Sequence, residues 1–261
     1  MKDKNIEIDL LTPLWADFQP SRYINDPEAW QKVFGDFYMD GSDLMKYKKE
    51  IQRKADRNNV TVPLGEFWNL MKYFCGSPVL VEKVKSAVIS VKERDGVLYG
   101  CTTLLLKDFL EPEEKAELYE EIMGSYSEGW GEDFLQHPLE VKDGILYLHF
   151  YPGDDVQFEE VVVRGPTEPA KIQDRGKRPT LKLADHDEDI FTIIADACRL
   201  LYANGQFEEA DQMVRRIQDN GLYGYIRTLM IVSQYVETEL SVPTRPQPER
   251  TKKPAKENRE R

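Results

Sequence analysis

Two Asp-Gly pairs constrain this chain more than any other feature. Asp95-Gly96 lies inside VKSAVISVKERDGVLYGCTTLLL (84–106), and Asp143-Gly144 lies inside LEVKDGILYLHFY (139–151). Each pair separates two β-branched or apolar runs, the strongest short-range signal for a two-residue hairpin. Between them, EPEEKAELYEEIMG (111–124) reads as a helix. Pro112 falls in its first turn, acids fill its N-terminal half, and Leu118, Tyr119, Ile122 and Met123 form the inward stripe. FEEVVVRG (158–165) adds a strand. The order β-β-α-β-β predicts an α+β fold with a small antiparallel sheet covered by a helix.

The stretch GSYSEGWGEDFLQHP (124–138) joins that helix to the second hairpin. A structural corner accounts for it: Gly124 as a helix C-cap, Gly129 and Gly131 as sharp turns around Trp130, and His137-Pro138 as entry to a strand. As a phosphate cradle it lacks a cation.

Before residue 78 the sequence is helical except for a strand-like alternation at Ile6, Ile8 and Leu10. NDPEAWQKVFGDF (25–37) starts a helix with Asp26 as N-cap and Pro27 at the first position. A second helix spans 42–58, capped at Ser42 or Asp43, with Leu44, Tyr47 and Ile51 inward. LGEFWNLMKYFCG (64–76) predicts a third. These parts make an α+β domain over 1–163, helical over 1–78 and sheet-containing over 79–163. Residues 164–182 are rich in Pro, Gly and charge and read as a linker. Three helical patterns joined at Asn204-Gly205 and Asn220-Gly221 make a module over 183–242, ahead of a disordered basic tail, 243–261.

The chain carries a net charge of −12. From Pro243 onward seven basic residues face three acidic ones, so the body holds 28 basic against 44 acidic residues. An acidic body disfavours general nucleic-acid binding. No apolar run is long enough to cross a bilayer, and MKDKNIEIDL lacks the core of a signal peptide, so the expected location is the cytoplasm, with no membrane association. Cys75, Cys101 and Cys198 are widely spaced and read as buried free thiols.

The span Val88–Tyr151 resembles uncharacterised proteins of phages and conjugative elements of Gram-positive bacteria. Their segment G-Q-Y-S-D-G-W-G-E-G-F-E-Q corresponds to residues 124–136 here, with departures at Ser125, Asp133 and Leu135. The resemblance implies a mobile-element setting and no particular chemistry.

No HExxH, G-x-S-x-G or P-loop spacing occurs, and no cofactor is expected. His149 alternates with Tyr147 and Tyr151 on one strand face. Asp185, His186 and Asp189 offer oxygen and nitrogen metal ligands, although acids there also cap a helix. Lys46, Lys49 and Arg53 share a helix face with the spacing for phosphate contacts. The candidate interaction residues are Glu113, Glu117, Glu120, Glu121, Glu128, Trp130, Glu132, Asp133, Asp154 and Asp155. The expected function is a non-enzymatic interaction protein that engages a host protein, such as a defence protein, through this acidic surface. The alternatives are a nucleic-acid accessory factor using Lys46, Lys49, Arg53 and the tail, and a metal-dependent enzyme.

Overall fold

The computed structural model describes residues 6–61, 66–127, 129–150, 158–164, 178–183, 189–219 and 225–238. The chain opens with two strands in succession, β1 (Ile6–Pro13) and β2 (Trp15–Pro20). They part company at Leu14. β1 enters one four-stranded sheet and β2 another.

The first sheet contains the hairpin of β4 (Val84–Arg94) and β5 (Val97–Leu106), followed by β1 and β8 (Glu159–Arg164), in the order β4-β5-β1-β8. The second has the order β3-β2-β7-β6, where β3 is Tyr38–Met39, β6 is Leu139–Val141 and β7 is Gly144–His149. All these pairings are antiparallel. The fold is therefore α+β, and the expected order of elements stands. The two hairpins, however, occupy separate sheets. Each gains a partner from the N-terminal segment, which the sequence pattern credits with only one short strand.

The turns differ in kind. Asp95 (φ 52°) and Gly96 (φ 79°) both adopt the left-handed conformation of a two-residue hairpin turn. In the second hairpin Val141 pairs directly with Gly144, so Lys142 and Asp143 make the turn. Gly144 is required for another reason: a Cβ there would stand 2.1 Å from the Gln19 carbonyl oxygen of β2. The glycine permits close strand approach.

Helix α1 (Pro27–Val33) begins as expected, the Ala29 amide donating to Asp26 Oδ1 at 3.0 Å. The stripe Leu44, Tyr47 and Ile51 is buried, but α2 itself runs Lys48–Thr61 after a 3-10 turn over Asp43–Tyr47. Asp40, not Ser42 or Asp43, caps this entry, accepting from the Ser42 and Asp43 amides.

The predicted third helix does not form. Among the described residues of 64–76 there is one 3-10 turn, Leu70–Lys72, before α3 (Pro78–Lys83). Asn69 explains the difference. Its Oδ1 accepts from the Met71 amide at 3.2 Å and the Ala87 amide of β4 at 3.0 Å. The segment is committed to sealing the free edge of β4, which overrides its helical spacing.

Helix α4 (Pro112–Ser127) passes through Gly124 without a break, so Gly124 is not a C-cap. Gly129 (φ 63°) makes the turn, and Gly131 lies so close to Tyr126 that an added Cβ would sit 1.8 Å from its carbonyl oxygen. A short α5 (Glu132–Gln136) follows. Trp130 is buried between Phe134 and Phe150, with ring centroids 4.9 and 5.0 Å away. Its indole N–H donates to Asn59 Oδ1 at 2.9 Å, while Asn59 Nδ2 donates to the Ile89 carbonyl at 2.7 Å. Asn58 Nδ2 donates to the Trp130 carbonyl at 2.9 Å. The Gly-Trp-Gly segment is a structural corner bolted to α2.

Helices α6 (Ile190–Ala203), α7 (Phe207–Asp219) and α8 (Tyr225–Tyr235) form the C-terminal module. Gly205 (φ 73°) terminates α6 as expected. The module shares its apolar core with Val60 and Phe67 from the α2 side and Val88 of β4. Salt bridges Lys72–Asp211 (2.6 Å) and Glu66–Arg215 (2.7 Å) flank that contact. Of the expected linker 164–182, Arg164 ends β8 and residues 178–182 pack along Glu237, while residues 165–177 and the tail fall outside the described residues.

Replacing Asn59 with Ala orphans the Trp130 indole N–H and the Ile89 carbonyl. Urea denaturation should show a loss of about 2–4 kcal/mol. The exposed Glu120→Ala control should change stability by less than about 0.5 kcal/mol.

Candidate functional site

A cleft of about 680 Å³ lies between the first sheet and the C-terminal helices. Strand alternation builds its floor. Ala87, Ile89 and Val91 of β4 face the main core, so Ser86, Val88, Ser90 and Lys92 face the other way. Thr103 and Leu105 of β5 and Glu7 of β1 extend the floor. The walls come from Gln52 and Asp56 of α2 and from Thr192, Asp196, Arg199 and Leu200 of α6. Thr180–Lys182 forms the rim. This segment is held by the Leu181 amide donating to the Glu237 carbonyl and the Glu237 amide donating to the Pro179 carbonyl, both at 2.7 Å.

Two ionic clusters dominate the cleft. Asp56 is fully buried; its Oδ1 accepts from Gln52 Nε2 at 2.8 Å and from Arg199 Nη2. Arg199 Nη1 also reaches Asp196 Oδ1 at 2.6 Å. Burial holds the Asp56 carboxyl above the usual carboxylate range, against the pull of Arg199. Burial also works against the Arg199 charge, but Asp56 and Asp196 outweigh it and raise the guanidinium further. Asp56 Oδ2 and Arg199 Nε are buried with no hydrogen-bond partner. The second cluster lies on the floor, where Asp9 accepts from Lys92 Nζ at 2.5 Å and Thr103 Oγ1 at 2.7 Å. Beside it, burial pushes the Cys101 thiol up to about 12, too high for a nucleophile at neutral pH.

None of the acidic residues singled out in the sequence lines this cleft. Glu113, Glu120 and Glu121 are exposed on α4. Glu117 accepts from the Ser77 amide at 2.5 Å. Glu132 is bonded to Gln136 within α5, and Asp133 to Lys54 (2.6 Å) and His137 (3.0 Å). Trp130, at 1% exposure, is core and offers no surface to a partner. Lys46 lies over the Tyr47 ring at 4.8 Å, Lys49 is exposed and Arg53 is half-buried. Asp189 caps α6, accepting from Thr192 Oγ1 at 3.0 Å and from the Phe191 amide. Glu128, Asp154, Asp155, Asp185 and His186 lie outside the described residues. Among the described residues no His, Cys, Asp and Glu side chains cluster in a metal-binding group, and no helix is long and apolar enough to cross a membrane. His149 stacks on Trp15 at 3.8 Å; burial lowers its imidazole pKa, opposed by Asp17 at 3.4 Å.

The sequence holds a signal for the cleft. In α2, Asp56 occupies a position on the buried side, and in β4 Ser86 and Ser90 alternate with the core residues. Polar residues at core-facing positions mark a polar interior surface.

Comparison with known proteins supplies no relative: no family model, curated protein or solved structure matches the chain.

Two outcomes follow. Cys75 is exposed whereas Cys101 and Cys198 are buried, so a thiol reagent should titrate one cysteine in the native protein and three after denaturation. Arg199→Met should strand Asp56 and destabilise by about 3–5 kcal/mol at pH 7.5. The stranded carboxyl has a folded-state pKa raised above its unfolded value, so the deficit should shrink as pH is lowered toward 5. Denaturation curves at both pH values check this.

Proposed function

We propose that the chain is a non-enzymatic binding protein that takes a second molecule into the cleft between the first sheet and α6. The supporting observation is the internal compensation of its ionised groups. Lys92 is committed to Asp9, and Arg199 to Asp56 and Asp196. Groups paired in this way position a ligand through hydrogen bonds and shape rather than through net charge. The volume lies in the range of small-molecule sites.

A second reading places a host-protein contact on α4, within the cytoplasmic mobile-element setting implied by residues 124–136. Its support is a division among the helix's acids. Glu114 is paired with Lys83 at 2.7 Å and Glu117 is engaged by the Ser77 amide, while Glu113, Glu120 and Glu121 face solvent. Such a patch steers a basic partner.

A fragment screen by thermal shift, repeated on Leu200→Trp to fill the cleft, tests the first reading. Hits should stabilise the wild type and be lost in the variant. The second predicts a host protein retained from nuclease-treated lysate at low salt and lost by the triple change Glu113→Lys, Glu120→Lys and Glu121→Lys. Retention on nucleic acid that falls with Lys49→Ala and Arg53→Ala would overturn both in favour of the accessory-factor reading.

A further inference from the structure

We propose, beyond the two readings above, that the outer edge of β8 pairs with β8 of a second copy of this chain. The two strands run antiparallel across a two-fold axis and join two four-stranded sheets into one.

Four strands end the two sheets: β4 and β8 in the first, β3 and β6 in the second. An edge strand presents unpaired backbone N–H and C=O groups and templates another chain unless it is blunted. Three of these edges are blunted. Along β4, Asn59 donates to the Ile89 carbonyl and Asn69 accepts from the Ala87 amide. β3 has two residues and β6 three, too short to template a partner. β8 has neither protection. It runs six residues, Glu-Glu-Val-Val-Val-Arg, without proline or lysine. Among the described residues no strand pairs with its outer edge. Val162 is 62% exposed and Val163 48%. Consecutive strand residues point to opposite faces, so apolar surface is open on both sides of the edge.

The pattern of β8 itself selects the occupant. Glu159 and Glu160 stand at its start and Arg164 at its end, with valines between. Turned antiparallel against itself, the register that sets Glu159 opposite Arg164 sets Val161 opposite Val162. That register gives a β-branched centre between unlike ends, whereas a parallel copy sets like charges together. A basic peptide finds no excess negative charge here, because Glu159 is engaged by Arg94 and Glu160 by Lys115 at 2.8 Å. The two-fold contact also closes: each copy satisfies the edge of the other, and growth stops at two.

Sedimentation velocity of the full chain over about 1–200 μM, the range of weak association, tests the proposal. A reversible monomer–dimer equilibrium is expected. Val162→Lys places a lysine on the edge and should raise the dimer dissociation constant at least about tenfold. Its thermal unfolding should match the wild type, since the residue is exposed. Val163→Lys, on the opposite face, should act in the same way. Hydrogen exchange on the wild type at both ends of the concentration range locates the contact without any variant. Amides of 159–164 should exchange more slowly at the higher concentration. A monomer throughout, assemblies that grow past the dimer, a dimer that persists in both folded variants, or β8 exchange independent of concentration would each overturn the proposal.

Discussion

Asn59 is the side chain on which the arrangement turns. One carboxamide sits at the meeting of three elements: its own helix, the exposed edge of β4 and the corner around Trp130. Its backbone carbonyl takes the Trp68 amide at 2.8 Å, adding the segment that fails to become a helix. An edge strand with open carbonyls invites pairing with another chain. Here Asn59 and Asn69 occupy those groups from the side, so β4 ends the sheet without another strand. Because the carboxamide has one donor side and one acceptor side, it also fixes which way the indole and β4 lie relative to α2.

That constraint explains why the sequence was legible in its local parts and opaque in its assembly. The Asp95-Gly96 turn, the Asp26 cap and the Gly205 terminus each depend on a few adjacent residues, and each forms as the pattern requires. The pairing of β1 with β5 and β2 with β7 depends on residues more than eighty positions apart. No alternation in MKDKNIEIDL or its neighbour specifies that partner. Residues 64–76 have helical spacing, but tertiary bonds from Asn69 to β4 outweigh a weak propensity. Gly124 illustrates the same limit: a glycine at a plausible stop is tolerated inside α4 because Leu118, Ile122 and Tyr126 continue the buried stripe beyond it.

The cleft was invisible for a related reason. Its residues come from β1, β4, β5, α2 and α6, so no short motif contains it. Acidic clusters draw attention because they are contiguous, but contiguity in a helix mostly produces neighbours that share a solvated face or pair locally. The interior acids, Asp9 and Asp56, are isolated in sequence and meet their cations only across the fold: Asp9 meets Lys92, and Asp56 meets Arg199. The signal that existed was a polar residue in a core position, and it becomes readable only once the faces of α2 and β4 are assigned.

The Asp56–Arg199 contact also decides what the C-terminal module can do. A buried ion pair contributes little net stability compared with apolar packing, because desolvation offsets most of the attraction. The contact joins Arg199 of α6 to Asp56 of α2 beside the apolar surface that α6 shares with Val60 and Val88, while the second contact of the guanidinium, Asp196, lies on α6 itself. Ser86 and Ser90 flank Val88 on the same strand face and bury hydroxyls where apolar side chains would bury more apolar area. Cleft and docking thus draw on one sheet face: Val88 packs against the C-terminal helices, and Ser86, Ser90 and Lys92 on the same face of β4 line the cleft beside it.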